Sequence, residues 1–115
     1  MSFKGQNFVK LSGYLRYPEL KTTTNGNSRF QAKVGVPVEF MRDGQEVSFE
    51  KQINVCAWGK VAEAMGDLVE GTPLVVTGSL NVRSYDTQCR SCSAPTKKIW
   101  AEVQVNNYVF PEEEL

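Results

Sequence analysis

The 115-residue sequence contains no histidine. The commonest general base and the commonest metal ligand are therefore missing. A cysteine nucleophile would lack its usual imidazole partner. The carboxylates are scattered over strand edges, loops and the C-terminal tip, whereas a metal-dependent nuclease needs them clustered. These absences predict a protein that is not an enzyme. Cysteine occurs three times, an odd number, and the start MSFKGQNFVK is too polar for a secretory signal. No apolar run approaches the roughly 18 residues of a membrane span. The expectation is a cytoplasmic, reducing compartment with free thiols and no membrane partner. Internal repeats and low-complexity segments are also lacking.

What is present suits one globular domain. Hydrophobic residues make up 41% and charged residues 23%, so a core can form without disulfide staples. The net charge is zero, which alone does not suggest a polyanion ligand. Its distribution is uneven: residues 1–60 hold nine Lys/Arg against five acids, and three Glu sit in the last five positions. The domain is thus mildly basic and its neutralising charge lies at one end. A domain over residues 1–110 and a short acidic tip over 111–115 are expected.

The pattern is mostly strands. Residues 8–15 read as a strand with Val9 and Leu11 on one face, followed by a loop at 22–27 rich in Thr, Asn and Gly. Phe30, Ala32, Val34, Val36 and Val38 alternate with polar or small residues, and Pro37 implies an edge, a bulge or a strand end. Asp43-Gly44 signals a hairpin into a third strand over 47–58, whose apolar positions are Val47, Phe49, Ile53, Val55 and Ala57. A helix follows over 60–69, with Val61, Ala64, Met65 and Leu68 at helical spacing and Gly71 closing it. The fourth strand, 74–83, directs Leu74, Val76, Leu80 and Val82 inward. The fifth, 99–109, directs Ile99, Ala101, Val103 and Val105 inward. Three strands, a helix and two strands is the order of an OB-fold, an all-β, partly open five-stranded Greek-key barrel with one short helix.

Three rings fall on the polar side of this alternation. Trp58 shares parity with Ser48, Glu50, Gln52 and Asn54; Tyr85 with Thr77, Ser79, Asn81 and Arg83; Trp100 with Glu102 and Gln104. Large exposed aromatics need a reason. Single-stranded nucleic acid supplies one, because every base has a π-face that can stack on a ring. Arg16, Lys33, Lys60 and Arg83 would track the phosphates, and Arg can also stack. Other roles for such rings are the end of a barrel, a subunit interface or a change of face at a bulge.

The sequence resembles the bacterial- and phage-type single-stranded-DNA-binding protein family over roughly residues 7–107. The resemblance rests on Val9 to Leu15 leading into Pro18-Glu19-Leu20, on VCAWGKVAE at 55–63, on GTPLVVTGSLNVR at 71–83 and on Ala101-Glu102-Val103. It implies base-stacking aromatics at Phe40, Trp58 and Tyr85. A fourth aromatic of the family falls at Gln52 and is lost. Arg16 approximates a family arginine, although the turn here is one residue shorter. Trp100 joins this set on parity alone. The resemblance further implies sequence-tolerant binding and protection of single-stranded DNA during replication, recombination and repair. It also implies a homo-oligomer, a tetramer in preference to a dimer, with replication or recombination proteins as partners. Two other readings stay open: a replication-restart OB-fold adaptor that bridges protein partners, and a purely structural OB module whose rings form an interface.

Two features depart from that family. Its long disordered tail is replaced by Pro111-Glu112-Glu113-Glu114-Leu115, which reads as a solvated terminus or a short docking peptide and suggests a phage or otherwise specialised member. Cys89-Arg90-Ser91-Cys92 has zinc-ligand spacing, but Zn²⁺ takes four ligands and only Cys56 remains. A metal site at Cys89 and Cys92 would require two chains to meet, giving an intersubunit zinc; otherwise no cofactor is expected. A redox pair and two loop thiols without function are the alternatives.

Overall fold

Period-two alternation drives this chain into long strands, and a computed structural model describes residues 3–88 and 95–113. The order is β1 (Val9–Thr22), β2 (Ser28–Arg42), β3 (Gln45–Trp58), α1 (Gly59–Met65), β4 (Pro73–Gln88), β5 (Pro95–Val109) and a single 3₁₀ turn at Pro111–Glu113. The strands close into a barrel in the order β1-β2-β3-β5-β4. All neighbours are antiparallel except β3 and β5, which run parallel and join at only Val55–Val103 and Cys56–Gln104. This is the OB-fold topology. The barrel, expected to be partly open, is closed, and its narrowest seam is that short parallel join.

The core collects the apolar residues of the inward parity. Leu15, Phe30, Val34, Val55, Ala57, Leu74, Val76, Val103 and Val105 are buried together, and α1 plugs one end with Ala62 and Met65. The helix is shorter than its periodicity predicts. It ends at Met65, capped by Gly66, and Leu68 reaches the core from a turn instead. Ala62 takes the buried position expected of Ala64, because the short helix meets the barrel through residues three apart.

The β2–β3 hairpin turns on Asp43-Gly44 as expected, with φ of 52° and 79° and Arg42 paired to Gln45. Pro37 lies beyond the last β1 partner of β2, at Gly35, so its missing N–H falls on a free edge. The register of β4 shifts between Thr77 and Gly78, where a Cβ would run into the backbone carbonyl of Gln104, so only glycine fits.

The largest departure concerns β4 and β5. Both are longer than expected, and residues 80–88 and 95–103 pair as a two-stranded arm. Leu80, Val82, Ile99 and Ala101, expected inside, are exposed. Alternation placed them on one face correctly, but beyond Val103 the barrel no longer covers that face.

Candidate nucleic-acid interface

Cross-strand pairing sets the outward residues side by side. Arg16 pairs with Lys33, and Lys33 with Asn54; Arg29 pairs with Trp58, and Gln31 with Cys56. On the arm, Arg83 pairs with Trp100 and Tyr85 with Lys98. One continuous outer face therefore carries Arg16, Lys33, Trp58, Arg83, Tyr85 and Trp100. All four rings proposed from the sequence are exposed, at 46% for Trp58, 51% for Tyr85, 38% for Trp100 and 39% for Phe40. Trp58 ends β3 because Gly59 follows it with φ of 65°, which turns the chain into α1 and leaves the indole at the rim. Lys60 is exposed in the first turn of that helix.

Phe40 belongs elsewhere. It pairs with Val47 and shares the inward parity of β2, and its ring sits edge-on to Phe49 at 5.7 Å near the hairpin tip. The structure brings the other named residues of β1 to β5 to one face and sets Phe40 on the opposite face of the hairpin.

The cations of this face are largely organised by carboxylates. Arg16 donates Nε and Nη2 to the two oxygens of Glu50, each at 2.9 Å, a bidentate fork. Glu102, only 3% exposed, is the second hub. It accepts from Trp100 Nε1 at 3.1 Å and Arg83 Nη2 at 3.3 Å, and Arg29 Nη2 stands 3.9 Å away. Arg16 and Arg83, read from the sequence as phosphate contacts, thus hold internal partners already. These pairs fix the guanidinium groups in place but neutralise part of the charge they would offer.

Two contributors escape sequence reasoning. Arg29 lies over the Trp58 ring at 5.2 Å, and its Nε is buried without a hydrogen-bond partner. Its parity with Lys33 on β2 could have revealed it. Tyr17, beneath Lys33 Nζ at 5.9 Å, sits at a β1 bulge that no pattern announces.

Cys56 faces this surface yet is buried. Burial first, and the nearby Glu102 charge second, push its thiol up to about 11, so it stays protonated at neutral pH and is a poor thiolate ligand. Cys89 and Cys92 lie outside the described residues. Among the described residues, no group of three or more His, Cys, Asp or Glu is placed to hold a metal ion. No helix among them is long and apolar enough to cross a membrane.

The Arg16–Glu50 pair predicts an acid response. The hydrogen bond from Arg16 holds the Glu50 carboxyl below its ordinary value of 4.5. The pair therefore contributes stability above that pH, and the contribution is lost as pH falls through the depressed value. Melting temperatures recorded from about pH 6 down to pH 3 should drop less steeply for Glu50→Gln than for the parent protein. Parallel curves would show that the fork adds nothing.

The model of the single-strand binding protein family matches residues 7–110. No curated protein matches the chain. Among solved structures, the fold is similar to the crystal structure of a small single-stranded DNA-binding protein from Streptomyces coelicolor. That likeness has a TM-score of 0.70 and 15% sequence identity, and it covers 97% of this chain and 100% of the other. At that identity it speaks to the fold. The family match spans the whole barrel, and the chain belongs to the single-strand binding protein family.

Proposed function

We propose that the outer face running from Trp58 across Lys33 to Trp100 and Tyr85 binds single-stranded DNA. The observation that carries this reading is the placement of exposed rings and cations on one continuous face of an OB barrel. Stacking holds bases without reading sequence, and the cations meet the backbone. Membership in a family of single-strand binding proteins accords with binding and not catalysis. The biological setting we propose is protection of single strands in replication, recombination and repair, in the cytoplasm of a bacterium or phage-infected host.

We also propose a homo-oligomer, with a tetramer favoured. Its support is the exposed apolar face of the arm at Leu80, Val82 and Ile99. Sedimentation of the purified protein tests this, and a monomer would refute it. Zinc shared between Cys89 and Cys92 of two chains remains a proposal; metal analysis that finds none after chelator-free purification removes it.

The reading is tested by tryptophan fluorescence on titration with oligo(dT), oligo(U) and duplex DNA. Strong quenching by oligo(dT), weaker quenching by oligo(U) and none by duplex is expected. The affinity for oligo(dT) should fall by about 0.7 log units per log unit of salt for each phosphate neutralised. Quenching by none of them would favour the structural module. Binding only in the presence of a protein partner would favour the adaptor.

A further inference from the structure

Tyr17 stands out by its backbone. Its φ of 53° lies in the left-handed region, which a bulky side chain occupies only at an energetic cost. The surroundings enforce it. The β1–β2 register shifts between Arg16 and Glu19, and the Tyr17 N–H donates to Glu70 Oε1 at 3.0 Å. Leu15 is pinned just before it, donating to Thr72 O at 2.9 Å and accepting from Gly71 N–H at 2.7 Å. Core burial does not repay this strain, because Tyr17 is 62% exposed. Strain that is retained while a ring stays in solvent points to use of that ring.

The ring has a counterpart. Tyr17 and Trp100 line one groove, together with Gln31, Lys33, Asn54 and two carboxylates, Glu19 paired with Lys21 and Glu102 held by Arg83 and the Trp100 indole. The two aromatics come from β1 and β5, and the amides and the ammonium come from β2 and β3 between them. Trp100 also lines a second concavity, with Arg83 and Tyr85, so both concavities meet the arm at this ring.

We infer that Tyr17 and Trp100 form an aromatic slot that takes one unstacked base of single-stranded DNA, with Gln31, Lys33 and Asn54 meeting the base edge. This rests on the reading of the outer face as a single-strand interface. A base presents two π-faces and a polar rim, and the groove offers rings and hydrogen-bonding groups to match. Carboxamides both donate and accept, so Gln31 and Asn54 can satisfy any of the four edges. The slot consequently adds affinity without a strong sequence preference. Lys33, stationed over the Tyr17 ring, ties the two walls to the positive charge of the face.

The test uses Trp58→Phe as background, which leaves Trp100 as the sole tryptophan reporter in the chain. Tyr17→Gly and Tyr17→Phe are added and titrated with oligo(dT). Glycine suits the positive φ, so Tyr17→Gly removes the ring without straining the fold. It should weaken binding roughly 5- to 150-fold, the equivalent of one lost stack, and reduce DNA-dependent quenching of Trp100. Tyr17→Phe should bind within about twofold of the background, because the π-face is kept. Unchanged affinity and unchanged Trp100 quenching in Tyr17→Gly would overturn the slot, as would equal losses in Tyr17→Gly and Tyr17→Phe. If the parent protein fails to bind oligo(dT) at all, the functional reading itself falls and the slot falls with it.

Discussion

Replacing Trp58 and Trp100 together with alanine is expected to weaken single-strand binding by about 2–6 kcal/mol, one stacking contribution for each ring. The two indoles stand on separate elements, at the end of β3 and on the arm of β5. Both rings nevertheless reach Glu102, Trp58 through Arg29 and Trp100 directly, so their single-variant losses should depart from additivity. Each indole also organises a cation: Arg29 lies over Trp58, and Trp100 shares Glu102 with Arg83. The loss in each single variant thus includes some disorder of its arginine. Phenylalanine at both positions keeps a π-face and should recover most of the affinity. Equilibrium titration of the parent, the two single alanine variants, the double alanine variant and the double phenylalanine variant against oligo(dT), at one salt concentration, checks this. A double variant within experimental error of the parent would remove both rings from the path.

Phe30→Ala should destabilise the fold by about 3–5 kcal/mol, the usual cost of deleting a buried phenyl ring. Phe30 is 1% exposed and is the largest of the fully buried side chains, and it pairs with Ala57 across β2 and β3. Alanine opposite alanine would leave a cavity that a closed barrel cannot collapse into without shifting its strands. Urea denaturation of both proteins measures the effect, read as a lower midpoint at similar slope. Because Arg29 and Gln31 flank this residue on the outer face, whatever fraction remains folded should bind DNA with near-parental affinity. A loss under about 1 kcal/mol would mean that the site relaxes to fill the void.

Much of this fold was legible because alternation is a local signal. The parity of Val34 against Lys33, and of Val55 against Trp58, was enough to separate core from face, and the two-residue turn at Asp43-Gly44 set the hairpin register. What alternation does not reveal is whether a face is covered. Leu80, Val82 and Ile99 share the parity of core residues, yet the arm carries them past the barrel and leaves them exposed. The reverse holds for Glu102 and Cys56, which share the outward parity and are nevertheless buried. There the arginines and the Trp100 indole gather over them, a tertiary arrangement with no sequence period. Phe40 enters through the resemblance and not through alternation, and its own parity sets it apart from Lys33. Tyr17 had no signal at all, since a bulge resets the alternation at that residue and the Pro that follows reads only as a turn. The face itself was therefore readable from residue type and parity, while the carboxylate hubs and the slot required the closed barrel.

DNA should lie on the outer face of the barrel and not at the hairpin tip or along the helix. This placement is tested most directly by photo-cross-linking an oligonucleotide that carries halogenated uracil, followed by mapping of the modified residues by mass spectrometry. Cross-links are expected at Trp58, Tyr85 and Trp100, with Tyr17 among them if the slot is filled, and excess oligo(dT) but not duplex should suppress them. Cross-links confined to Phe40 and Phe49, or to α1, would contradict this placement.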